Sequence, residues 1–145
     1  MSCLSMSKFH AGYTITMKDI AREGNPILRQ RTQEVNVPLS DEDRETLICM
    51  MNFLKNSQDP VLSKKYQLRA GVGLSANQIG LNKRMFTAYF VDEEGMQHEY
   101  ALVNPEIISH SVWMIYLPEG EGCLSVDREV KGFVPRYEWI KVKGF

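Results

Sequence analysis

The sequence has no apolar run of ~18 residues or more, so no segment of it is predicted to span a membrane. Its opening stretch, MSCLSMSKFHAGYTI, lacks the basic and then continuously apolar regions of a secretory signal. Neither sign of charge is in excess. Lys and Arg number 17 against 18 Asp and Glu, for a formal net charge of −1. That balance supplies no basic footprint for nucleic acid or anionic lipid. Cysteine is scarce: Cys3, Cys49 and Cys123 form no C-x-x-C pair. An odd, unpaired set argues against a disulfide framework and for a reducing compartment, the cytoplasm. Internal repeats and low-complexity tracts are lacking too. Histidine is limited to His10, His98 and His110, with no pair at helical i, i+4 spacing and no H-E-x-x-H.

What remains is a 145-residue chain, 43% hydrophobic, enough for one packed domain and too short for two. The residues up to about 15 are small and polar and are expected to form a flexible N-terminal arm. In MKDIAREGNPILRQ, Gly24, Asn25 and Pro26 break any helix, which predicts a short helical turn, a bend and an extended segment. The clearest local signal follows. Ser40 stands at an N-cap position, and Asp41, Glu42 and Asp43 fill the first turn, where carboxylates favour the positive end of the helix dipole. Leu47, Met50, Met51 and Leu54 recur on one face up to a stop near Gln58-Asp59-Pro60. Residues 84–91 and 96–103 read as a hairpin about the turn Asp92-Glu93-Glu94-Gly95. Ile107 to Leu117 and Tyr137 to Lys143 read as further strands. The sum is an α+β fold with a long helix packed on antiparallel strands. The last strand is in mid-pattern at Phe145, so the 1–145 domain is expected to be incomplete at its C-terminal end, leaving an apolar face open to self-association.

Two glycine-bearing loops could carry chemistry: GVGLSANQIG (71–80) and EGEGCLS (119–125). The first lacks the Gly-Lys-Ser/Thr of a phosphate loop. Its Gln78 is either a solvent-facing amide at a turn or a neutral donor suited to an oxyanion. Cys123 in the second is either a small buried hydrophobe or a thiolate ligand or nucleophile, and both of the latter roles need partners. His98, His110 and Cys123 could form a metal site only if three distant ligands converge. Glu119 and Glu121 flank glycines and read as surface charge.

Taken together, GVGLSANQ resembles the first motif of the peptide deformylases, G-x-G-L-A-A-x-Q, and EGCLS at Glu121 to Ser125 matches their second. Their order and separation fit, as do MKDI-REG-P-LR near the start, NSQDP after the helix and NP-I-SHS before the second motif. The long segment before Gly71 is similar to that of the type 2 branch of Gram-positive bacteria. The resemblance implies a cytoplasmic, metal-dependent hydrolase that removes the N-formyl group from N-formyl-methionyl nascent peptides, with the ribosome as a partner by analogy. It implies Fe(II) as the metal, with Zn or Ni able to substitute, and Cys123 as its thiolate ligand. Gln78 and the backbone N–H of Leu124 would hold the oxyanion. Val72, Gly73, Leu74, Glu121 and Gly122 would bind the extended peptide by strand addition, and Leu117 would line the methionine pocket.

The sequence departs from that pattern in three places. The third motif, H-E-x-x-H, which carries two metal ligands and the general base, does not occur in it. The 145 residues alone are therefore expected to be inactive. Ser75 stands for the usual alanine and Asn77 for the usual proline of the first motif, and the latter loses a locked φ. Two other readings remain open: a non-catalytic homologue that binds peptide termini or a partner protein, and a thiol enzyme with Cys123 as its nucleophile.

Overall fold

A computed structural model of the chain describes residues 7–145. Helix α1 spans Asp41–Gln58. Its N-cap is Ser40, whose side chain accepts from Asp43 N, and Asp41, Glu42 and Asp43 lie in the first turn. The buried face is wider than the leucine and methionine spacing implies. Thr46, Leu47, Cys49, Met50, Phe53 and Leu54 are buried, whereas Met51 is half-buried at its margin. A stripe of this width puts three side chains per turn or two into the core, each large one stabilising by roughly 1.5–3 kcal/mol. The helix does not simply stop at Asp59. That carboxylate accepts from Val61 N and Leu62 N, and with Pro60 at the first position it starts a second helix, α2 (Pro60–Lys65).

The expected hairpin is present. Strands β1 (Gly73–Ser75), β2 (Met85–Val91) and β3 (Gln97–Val103) form an antiparallel sheet in the order β1-β2-β3. Alternation fixes its faces: Leu74 lies opposite Thr87 and Met85 opposite Val103, and all four are buried on the side that joins the α1 core. Asn104 ends β3 with φ +53°, a conformation its short amide tolerates. Its Oδ1 accepts from Val35 N at 2.7 Å and its Nδ2 donates to Val35 O at 2.9 Å, tying the segment before α1 to the sheet.

Where one strand over Ile107 to Leu117 was expected, there are two: β4 (Glu106–His110) and β5 (Met114–Ile115). Ser111 makes the break. Its hydroxyl donates to Trp113 O at 2.7 Å, a local bond that competes with the ladder. The last strand is likewise split into β6 (Arg136–Tyr137), paired with β5, and β7 (Ile140–Lys143), paired with β4. Val112, Trp113, Phe133 and Phe145 are more than half exposed.

The segment expected to be a flexible arm behaves differently over residues 7–15. Phe9 and Ile15 are core residues, Phe9 O accepts from Thr46 Oγ1, and Tyr13 O accepts from Cys49 Sγ at 3.2 Å. Composition misled because two apolar side chains suffice to anchor a polar segment along α1. Residues 1–6 of that expectation lie outside the described residues. Among the described residues no helix is long and apolar enough to cross a membrane.

Candidate active site

Gln78 is the third residue of the short 3-10 helix Ala76–Ile79, which β1 feeds directly and which Gly80 terminates at φ +84°. Ser75 is its N-cap. The Gln78 side-chain oxygen reaches back to accept from Ser75 N at 3.1 Å, completing a capping box. With the oxygen so committed, the amide nitrogen faces the second loop: Gln78 Nε2 donates to Ser125 Oγ at 3.2 Å and lies 3.9 Å from Cys123 Sγ.

The two loops meet because a third segment straps them together. Ala21 N donates to Gln78 O at 2.6 Å and Glu23 N to Ser125 O at 2.7 Å. Arg69 adds a second tie, donating to Cys123 O at 3.2 Å and Val126 O at 3.0 Å. Leu124 is buried and packs on Gly71, where any Cβ would stand 3.0 Å from its Cδ1. Gly71 is thus glycine for close approach. Gln58, at the end of α1, donates to Gly71 O at 2.7 Å and Tyr89 O at 2.8 Å, fixing the chain that enters β1.

These residues enclose a cleft of about 390 Å³ whose lining includes Val72, Gly73, Gln78, Gly122, Cys123 and Leu124. Six of the nine residues singled out from the sequence therefore come together. Glu121 lies in the adjoining cleft, its carboxylate paired with Arg136 at 2.7 and 3.1 Å; that guanidinium holds the carboxyl below its usual range. Leu74 is buried in the core and is not part of the cleft lining. Leu117 is exposed and is not part of the cleft lining. An apolar groove of about 510 Å³ between α1 and β3 contains none of these residues.

Cys123 is exposed rather than a buried hydrophobe. The weighed convergence of His98, His110 and Cys123 does not occur: among the described residues no three His, Cys, Asp or Glu side chains are grouped to hold a metal. His98 is held by Asp92 at 2.8 Å, six residues back across the hairpin turn, and His110 stacks on Tyr137 with ring centroids 3.8 Å apart. The exposed Cys123 sulfur could fill one position of a thiophilic metal site, but the described residues do not make up a whole one. Sequence reasoning passed over Ser125, Arg69 and Gln58. Ser125 alone carried a signal, as the hydroxyl two places after Cys123.

An α+β domain of this kind, with an amide donor aimed at a thiol across a glycine-walled cleft, defines a class that comparison with known proteins makes specific. The sequence profile described as polypeptide deformylase matches residues 17–145. The chain is 56% identical over 129 residues to peptide deformylase 2 of Bacillus anthracis, covering 89% of this chain and 70% of that protein. It is 57% identical over 129 residues to the peptide deformylase of Halalkalibacterium halodurans, covering 89% and 71%. Among solved structures, the Thermotoga maritima peptide deformylase superposes with a TM-score of 0.66 at 28% identity, covering 86% of this chain and 71% of that one. A class I type b peptide deformylase of Acinetobacter baumannii bound to Met-Ala-Ser gives a TM-score of 0.66 at 26% identity, covering 91% and 77%. The chain belongs to the polypeptide deformylase family.

Proposed function

We propose that the cleft between Gly71–Gly73 and Gly122–Leu124 takes the N-terminus of an N-formyl-methionyl nascent peptide in the cytoplasm, for hydrolysis of its formyl amide. The observation that carries this reading is the aim of the Gln78 amide nitrogen at Cys123 across that cleft. The occupant seen in the Acinetobacter baumannii relative, Met-Ala-Ser, supports a peptide that begins with methionine. β1 is an edge strand, so an extended peptide can pair with the backbone at Val72, Gly73 and Leu74 on one side and with Glu121 and Gly122 on the other. Leu117 would help line the methionine pocket. Gln78 Nε2–H and Leu124 N–H would hold the oxygen that gains charge when the formyl carbon becomes tetrahedral.

In this family-based reading Cys123 is the thiolate ligand of Fe(II), for which Zn or Ni can substitute. Among the described residues no second and third ligand stands beside it, so the metal would need further ligands from outside them. The same observation favours a second reading, in which these residues bind peptide termini without cleaving them. The ribosome as a site of action, and self-association through the face around Trp113 and Phe133, belong to this proposal as well. The test is formate release from a formyl-methionyl peptide under anaerobic conditions with Fe(II) or Ni(II) supplied. The 145-residue chain is expected to release no more than its Cys123→Ala variant. Turnover that disappears with Cys123→Ala would mean that a second chain or distant residues complete the site.

A further inference from the structure

We propose that the Ser75 and Ser125 hydroxyls are positioning groups that grip the two ends of the Gln78 amide and leave one N–H directed into the cleft at Cys123. The inference rests on the reading of Gln78 as an oxyanion donor. A glutamine side chain carries one acceptor and two N–H donors. In this chain the acceptor, Oε1, receives Ser75 N–H at 3.1 Å and also lies 3.2 Å from Ser75 Oγ. One of the two donors is directed to Ser125 Oγ at 3.2 Å. Ser125 is 3% exposed, so its hydroxyl is held by the surrounding packing rather than by solvent. The planar amide then has a single N–H left, on the side where Cys123 Sγ lies at 3.9 Å.

Ser75 does more than cap. Its hydroxyl has one proton and faces two carbonyl oxygens, Asn77 Oδ1 at 2.5 Å and Gln78 Oε1 at 3.2 Å. The proton is shared, with the greater part going to the nearer oxygen, as in other three-centre bonds. Asn77 Nδ2 in turn lies 3.5 Å from Ile27 O, on the segment that precedes α1. Serine at 75 and asparagine at 77 are therefore linked by a side-chain bond. That bond restrains the turn presenting Gln78, at the position where the motif resembled in the sequence carries the rigid ring of proline. An alanine at 75 could supply the backbone N–H to Oε1 and nothing to Asn77.

The grip matters because a preorganised donor costs no reorganisation when charge develops, whereas a swinging amide spends part of its time aimed elsewhere. The test uses the chain with its side-chain amides labelled with 15N, in Ser75→Ala, Ser125→Ala and Ser75→Thr variants. In the unaltered chain the Gln78 side-chain amide is expected to show an order parameter near ~0.8, falling below ~0.6 in either alanine variant. Backbone order over residues 74–80 should hold, and Ser75→Thr, which restores a hydroxyl, should return the side chain to its original order. Unchanged Gln78 order in both alanine variants would overturn the proposal. So would a threonine variant as mobile as the alanine one, or loss of backbone order together with the side chain. These readings are independent of turnover. Failure of the oxyanion role itself would instead appear, in any preparation that turns over a formyl-methionyl peptide, as a Gln78→Leu variant that cleaves it at the unaltered rate.

Discussion

Gln78 Nε2 stands 3.9 Å from Cys123 Sγ although 45 residues separate them in the chain. The approach is not made by the two loops alone. The backbone at Ala21 and Glu23 bonds to the carbonyls of Gln78 and Ser125, so a segment far from both motifs sets their spacing. Asp127 strengthens the same junction, pairing with Arg22 at 2.5 Å and Arg69 at 3.5 Å. These ion pairs are largely exposed, and each contributes ~1 kcal/mol or less. The backbone bonds and the burial of Leu124 carry more of the geometry.

Replacing Gln78 by leucine keeps the volume of the side chain and removes the donor. In any preparation that turns over a formyl-methionyl peptide, kcat is expected to fall by about 10²–10³ with KM little changed, since an oxyanion donor acts on the transition state. Steady-state kinetics of formate release checks this, and an equal rise in KM would assign Gln78 to ground-state binding.

Gly71→Ala places a Cβ 3.0 Å from Leu124 Cδ1, so the buried Leu124 side chain must give by a few tenths of an ångström. A stability loss of ~1–3 kcal/mol is expected from overpacking. Adding Leu124→Ala should recover part of it, because the smaller side chain vacates the space. Urea unfolding of the two single variants and the double variant gives the coupling. Strictly additive losses would mean that the two residues do not press on each other.

Asp19 anchors the segment before α1. Burial alone would raise its carboxyl, but Lys8 at 2.8 Å, Thr16 N–H at 3.0 Å and Tyr13 Oη at 2.9 Å outweigh that and hold it below the usual range. A depressed folded pKa contributes stability above the unfolded value of about 3.9 that is lost as pH falls through the folded value. Tyrosine fluorescence during acid titration should therefore report release of this segment below about pH 4. Asp19→Asn should flatten that dependence, and an unaltered profile in the variant would contradict the assignment.

Two cysteines should differ in reactivity. Burial pushes the Cys49 thiol up to about 11, and its Sγ lies 3.2 Å from Tyr13 O. Cys123 is exposed. At pH 8 iodoacetamide should label Cys123 while Cys49 stays unmodified, as mass mapping of peptides will show. Stability owed to the neutral Cys49 thiol is present below its ordinary value of 9.0 and lost as pH rises through about 11. Labelling of Cys49 in the native chain at pH 8 would mean that α1 opens far more readily than its packing implies.

Much of this was legible in the sequence where one residue determines one local outcome. The Ser40 cap, the helix after it and the hairpin about Asp92–Gly95 depend on neighbours a few residues apart. The pairing of the two glycine loops was legible only through the resemblance of their motifs, since nothing local brings Gln78 to Cys123. The partners of the site were not legible. Ser125, Arg69 and Gln58 act through bonds spanning 13 to 57 residues, and each is an ordinary polar residue in its own neighbourhood. The break at Ser111 was hidden for the opposite reason: a strand-like pattern surrounds it, and one hydroxyl bonding two residues onward overrides that pattern.

The most direct test of the account is a two-dimensional amide titration of the 15N-labelled chain with formyl-Met-Ala-Ser. Saturable shifts are expected at Val72, Gly73, Gly122 and Leu124, together with the side-chain amide of Gln78. Shifts confined to Leu47, Ile48 and Met51 in the apolar groove beside α1, or no saturable shifts at all, would contradict it.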